Sequence, residues 1–202
     1  MPIELEDEAR AAATPVVKRT KIGEKFVGAI VRYEQRDVQK MVDGVAKPVM
    51  KANGKPKQEL VVHCIAHPGN TATVGLGDDR HLPEPGEQVR LILRGGAFGD
   101  WINQRKEHRD GKLSVGDVVV QTVTHAQQYD QDGNPKGGQI TDQAIANEVP
   151  RNVSLGYYGP LTLHMPKEQA YTDLAEAAYL AWKDGTAIVL DDGSSFHDED
   201  PF

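Results

Sequence analysis

The sequence has one cysteine, Cys64, so it can form no internal disulfide and build no multi-cysteine zinc site or iron–sulfur cluster. With a lone thiol, a reducing, cytoplasmic setting is the simplest expectation. No stretch approaches the ~20 consecutive apolar residues of a membrane helix. The opening MPIELEDEAR is acidic, which does not fit a basic export signal. A Walker loop, a GxSxG elbow and a dinucleotide fingerprint are all missing, so the expectation is a non-enzyme without cofactors. Aromatic residues make up only 6% of the chain, so the place of each one carries information. What remains, 202 residues with 39% apolar and 26% charged side chains, suffices for one ordinary globular core.

Positive charge is also short overall, with a net charge of −7, which taken alone argues against a nucleic-acid partner. The distribution reverses that reading. Glu4, Glu6, Asp7 and Glu8 crowd the start, and Asp191, Asp192, Asp198, Glu199 and Asp200 crowd the end. Between them, residues 11–166 hold 20 basic and 17 acidic side chains, about +3.

Residues 1–20 show little hydrophobic period and are expected to be a disordered arm. A long strand follows at 25–35, KFVGAIVRYEQ. Gly28 inside it marks a bend, a bulge or a close approach of other backbone. Residues 37–57 carry five lysines, Lys40, Lys47, Lys51, Lys55 and Lys57, among Gly44, Pro48, Asn53-Gly54 and Pro56. They read as a basic hairpin or loop. Further strands are expected at 59–67, 71–76, 88–94, 117–129 and 153–164. Asp100 can cap a short helix ended by Gly111, and DQDGNPKGG, 130–138, is a long loop or hairpin with a return over 139–150. A last helix spans about 167–184, with Pro166 at its start and Gly185 at its end. Its apolar face is Ala170, Leu174, Ala177, Ala178, Ala181 and Trp182. Trp182 with Leu174 is a packing stripe or a homo-oligomer contact.

The pattern is mainly β. It fits an OB-type five-stranded barrel with long loops, a short helix between strands and a C-terminal helix; a β-sandwich is the alternative. The expected division is an arm at 1–20, a barrel at 21–166, a helix at 167–185 and an acidic tail at 186–202.

The chain ends in His197-Asp198-Glu199-Asp200-Pro201-Phe202. This resembles the acidic tip of bacterial single-stranded DNA-binding proteins, although Asp200 stands where that tip has an apolar residue and the linker before it is short. The segments KIGEKFVGAIVRYEQRD, GDWINQRKEHR and GDVVVQ resemble OB-fold DNA-binding proteins from phages of actinobacteria. The resemblance implies a protein that coats single-stranded DNA during phage replication, recombination or repair in the host cytoplasm. Its tip, Asp198, Glu199, Asp200, Pro201 and Phe202, would capture replication or recombination proteins by offering an apolar anchor and carboxylates to a basic-rimmed pocket.

Single-strand binding without base readout needs cations for phosphates and flat rings for bases. The candidates are Arg32, Tyr33 and Arg36 on the first strand, and Lys51, Lys55 and Lys57 in the first loop. Arg90 and Arg94 lie on one strand, and Phe98, Trp101, Arg105, Lys106 and Arg109 follow it. Tyr129 and Lys136 stand at the second loop. Plainer readings stand beside them. Phe26 reads as core, Trp101 divides evenly between a plug and a stacking platform, and the lysines of 37–57 can be merely solvated. Tyr157 and Tyr158 must face opposite ways if extended, so at most one stacks.

Other classes have less behind them. His63, Cys64 and His67 look like a fragment of a metal site without a partner cluster, and Cys64 reads as a small buried hydrophobe. Asp78-Asp79-Arg80-His81 is a loop a metal-dependent nuclease could use. A β-rich phage structural or assembly protein is the other alternative. The choice between DNA and RNA stays open, since no side chain marks a reader of the ribose hydroxyl.

Overall fold

The computed structural model describes residues 14–42, 45–51, 53–108, 111–130, 135–150 and 153–184. Its centre is the long strand β2 (Lys25–Asp37), which pairs with β5 (Gln58–Ala66) on one side and β8 (Val118–Thr122) on the other. β7 (Gln88–Arg94) continues from β5, and β12 (Leu161–His164) from β8. Gly28 sits where both neighbours meet, opposite Ala66 and Val119. A Cβ there would lie 2.8 Å from the Phe26 ring and 2.9 Å from the Cβ of Cys64, so the glycine answers a close approach.

Two residues further on, β2 carries a bulge. Ile30 pairs with Cys64 and Arg32 with His63, so Val31 is an extra residue. The bulge reverses the alternation of everything after it. Phe26 and Ile30 point into the main core before it; Tyr33 packs against that core after it. Arg32, Glu34 and Arg36 therefore go to the opposite face.

The expectation of a mainly β chain with a helix between strands and a helix near the end is met. Helix α1 (Gly96–Glu107) joins β7 to β8, entered through Gly95 at φ 54°. It starts four residues before Asp100, which is not its cap. The OB-type five-stranded barrel is not what the hydrogen bonds draw, since the sheets do not close into one among the described residues. The main sheet has seven strands in the order β12-β8-β2-β5-β7-β1-β6, with β1 at Val16–Lys18 and β6 at Thr73–Gly75. Its ladder is open among the described residues, because the free edge of β7 is taken by β1, Val16 beside Arg90. This also corrects the disordered arm over its last residues: Val17 is buried in the core.

The basic segment after β2 is a ribbon, β3 (Gln39–Val42) with β4 (Val45–Pro48). The strand expected at 117–129 divides into β8 and β9 (His125–Tyr129). That at 153–164 divides into β11 (Ser154–Tyr158) and β12. The two segments approach closely at this break, where a Cβ on Gly159 would collide with the Thr122 carbonyl. β9 and β11 join β10 (Pro135–Ile140) in a second, three-stranded sheet, and α2 (Gln143–Glu148) follows β10.

Helix α3 (Gln169–Lys183) is present, but turned about its axis from the expected face. Tyr171, Ala175, Ala178 and Tyr179 pack on Ala29, Val31 and Ile65, while Ala170, Leu174 and Ala177 are exposed. The tyrosine rings bury more area than the alanines can, and Tyr171 stacks on His67 at 4.2 Å. No helix among the described residues is long and apolar enough to cross a membrane.

Candidate nucleic-acid interface

On α1, Ala97 and Trp101 fall one turn apart and enter the core. Phe98, Ile102 and Arg105 follow the neighbouring stripe at i, i+4 and i+7 and face β2. Between them and Tyr33, Gln35 and Leu60 lies a half-open cleft of about 340 Å³. Its sides are aromatic and its rim is basic, with Arg105 and Lys106 both exposed. The Tyr33 ring meets Trp101 edge-on at 5.4 Å, and the Arg105 guanidinium stands 5.4 Å over the Tyr33 ring. Burial pushes the Tyr33 hydroxyl above its usual pKa, partly opposed by Arg105, so the ring is neutral under Arg105 at pH 7. The cleft offers a flat ring, an apolar floor and two cations within one nucleotide's reach.

Five expected residues thus come together: Tyr33, Phe98, Trp101, Arg105 and Lys106. Trp101 has a different part from a stacking platform. At 2% exposure it is a plug that backs the cleft from the core. Gln35, Leu60, Ile102 and Gly111 complete the lining and were missed; Ile102, one turn beyond Phe98, was the readable signal.

The other arginines take different places. Arg32 is buried on the far face, paired with Glu34, with its guanidinium 4.7 Å over Trp182 beneath α3. Arg36 and Arg94 both grip Glu59, itself 3% exposed. Arg90 donates from Nε to the Thr14 carbonyl. The strand face expected to hold DNA therefore carries ion pairs in which Arg32 and Arg36 hold the fold, while Arg90 is tied to the chain that enters β1. Arg94 keeps an exposed side chain. Lys40 and Lys47 are exposed on the β3–β4 ribbon, Lys51, Lys55 and Lys57 in the segment that follows it, and Lys136 on β10. Tyr129 is half-buried and donates its hydroxyl to that of Tyr158 at 2.8 Å. Arg109 and the tip residues Asp198, Glu199, Asp200, Pro201 and Phe202 lie outside the described residues.

A second cleft, about 430 Å³, runs between β1 and β11. Lys18, Arg19 and Arg80 line it with Arg94, Tyr157 and Tyr158. The first three were not among the expected residues, although the run Lys18-Arg19 directly after a buried valine was a visible sign.

His63 and His67 do not converge on a metal. His63 is 3.4 Å from Glu34, His67 stacks on Tyr171, and the described residues contain no cluster of three metal-binding side chains. Burial raises the Cys64 thiol far above its usual pKa. Asp78 and Asp79 are exposed in the turn after β6.

Burial, helped by Arg32 and Arg90, holds His63 below the usual histidine range against the pull of Glu34. Burial alone would raise Glu34, yet its bond to His63 and the nearby Arg32 hold it below its ordinary value. The unfolded chain therefore takes up protons first on acidification. Stability is expected to fall as pH drops below about 6.5, through His63, and again below about 4.5, through Glu34. Urea midpoints between pH 7.5 and 5 check this. His63→Gln should flatten the upper part of the curve, and an unchanged slope would remove His63 as its source.

Compared with protein-family models, with curated proteins and with solved structures, the chain matches none.

Proposed function

We propose that this protein binds single-stranded DNA without strong sequence preference. It protects unpaired strands in phage replication, recombination or repair, and its acidic tip recruits partner proteins. The observation that carries the reading is the cleft of Tyr33 and Phe98 under Arg105 and Lys106, where a base and its phosphate find their complements side by side. The strand order supports an OB-type arrangement, a partly open barrel. In it β2, β5, β7, β8 and β12 are the five strands and α1 links the third to the fourth. The β3–β4 ribbon then joins the first two strands and the β9–β10 hairpin the last two, the loops by which such barrels hold oligonucleotides. Both present exposed lysines.

The test is a titration of a labelled thirty-base single strand against its duplex, with and without magnesium. The single strand is expected to bind tighter, uncut, with log affinity falling against log salt by about 0.7 for each phosphate neutralised. Deleting residues 191–202 should leave or raise that affinity while abolishing partner capture. Absence of single-strand binding at low salt by this shortened chain would end the proposal, and magnesium-dependent cleavage would favour the nuclease. The exposed apolar stripe of Ala170, Leu174 and Ala177 on α3 favours a second reading, an assembly component that self-associates. That reading requires a stable symmetric oligomer with no single-strand preference.

A further inference from the structure

The cleft between β1 and β11 has a chemistry of its own. Four cations line it, Lys18, Arg19, Arg80 and Arg94, and among the described residues no carboxylate does. Glu59 engages Arg94 from outside this lining. Arg19 is the fixed member. Its Nη2 donates to the Ile92 carbonyl at 2.8 Å and its Nη1 to Gln121 Oε1 at 3.1 Å, so one guanidinium spans from β7 to β8. Both acceptors are neutral, and among the described residues no carboxylate pairs with it. Burial, with the nearby Arg94, disfavours its charge against the opposing pull of Tyr158, and an anion in the cleft would offset that. Glu24, the nearest acid along this stretch, spends both carboxylate oxygens on Thr20 and the Lys21 amide.

The aromatic wall is also specific. A Cβ at Gly156 would run into the Tyr158 ring at about 2.7 Å, so the glycine lets that ring lie across β11. Tyr158 is held there by Tyr129 and stacks on His125. Tyr157, the other wall residue, is half-buried, and its side chain makes no hydrogen bond or ring contact among the described residues.

We propose that this cleft receives a nucleotide phosphomonoester, the phosphorylated end of a DNA strand, with the sugar and base against Tyr157. Four cations gathered into one ligand-sized space suit a group of nearly two negative charges better than the single charge of a chain phosphodiester. Cations meant for successive phosphates are instead strung along a groove. The inference deepens the single-strand reading by giving the strand an end-specific contact. It uses none of the residues of the first cleft.

The experiment compares short oligothymidylates carrying a 5′-phosphate, a 3′-phosphate or two hydroxyl ends, together with thymidine monophosphate and inorganic phosphate alone. At low salt one phosphorylated end is expected to bind about tenfold tighter than the hydroxyl-ended strand, a difference of about 1.4 kcal/mol. Lys18→Gln with Arg80→Gln should bring that ratio to about one. Arg80→Gln alone, at an exposed loop position, should lower it in a protein that keeps its melting temperature. Equal binding of all three strands overturns the inference and leaves the single-strand reading intact. So does a preference that survives the double variant. If no hydroxyl-ended strand binds but thymidine monophosphate does, in a manner lost with Lys18 and Arg80, the single-strand reading fails and this one stands. If inorganic phosphate alone binds as well as the nucleotide, the site is an anion site and the role of Tyr157 is withdrawn.

Discussion

Replacing Phe98 with Leu is expected to weaken binding of an unstructured oligothymidylate by about tenfold, and Tyr33→Leu by a similar factor. Each change keeps the apolar volume and removes one ring face. Stacking of a base on an aromatic side chain contributes ~1–3 kcal/mol, so losses from about fivefold to about a hundredfold are the range to look for. The two effects should fall short of additive, because both rings line one cleft and offer their faces to the same base. Arg105→Gln should act differently. It removes one phosphate contact and the cation over Tyr33, so the slope of log affinity against log salt should shrink by about 0.7 while the protein keeps its stability. Fluorescence titrations at several salt concentrations separate the two kinds of effect. If Phe98→Leu and Tyr33→Leu both bind like the parent protein, the cleft is not where the bases sit.

Glu59→Ala is expected to have the largest effect on stability, about 3 kcal/mol, read as a fall in the urea midpoint at pH 7. Glu59 is almost fully buried, with one carboxylate oxygen on Arg36 and the other on Arg94. Arg36 is largely buried as well, so removing the acid leaves a desolvated cation behind, which costs more than the pair itself contributes. Arg94 is 59% exposed and can turn to water, so its share is small. Arg94→Gln should therefore cost well under half as much. Equal losses from the two variants would show that Glu59 is held mainly by Arg94.

Much of the local architecture is legible in the sequence. The lysine-rich stretch after β2 forms a ribbon, and the 130–138 region leads a second hairpin. A helix also stands between β7 and β8. The candidate cleft was half legible. Phe98, Arg105 and Lys106 cluster within nine residues, so helical spacing alone nearly brings them together. Tyr33 joined them for the right residue type but with the wrong companions. Arg32 and Arg36, its neighbours in sequence, were expected beside it and instead hold Glu34 and Glu59 on the other face. The α3 face was right for Ala178 and Trp182 and wrong for Ala170, Leu174 and Ala177, for a related reason. Apolarity by residue type favoured Ala170, Leu174 and Ala177, whereas the area available for burial favoured Tyr171 and Tyr179.

The sequence by itself determined the inventory: strands where β-branched residues alternate, turns where glycine and proline gather, a helix where the apolar period lengthens. These are preferences of residues within a few positions of each other, and they act in any fold. Only the tertiary structure decided sidedness and meeting. One extra residue, Val31, turns Tyr33 to the main core and three charged neighbours to the sheet's other face, and no local pattern shows that the partner strand has skipped a position there. Likewise Lys18 and Arg19 meet Arg80, Arg94 and Tyr157 only because β1 lies along the free edge of β7 and the second sheet folds back toward it. Those residues are separated by most of the chain, and what joins them is the burial of a shared core, which no segment carries alone.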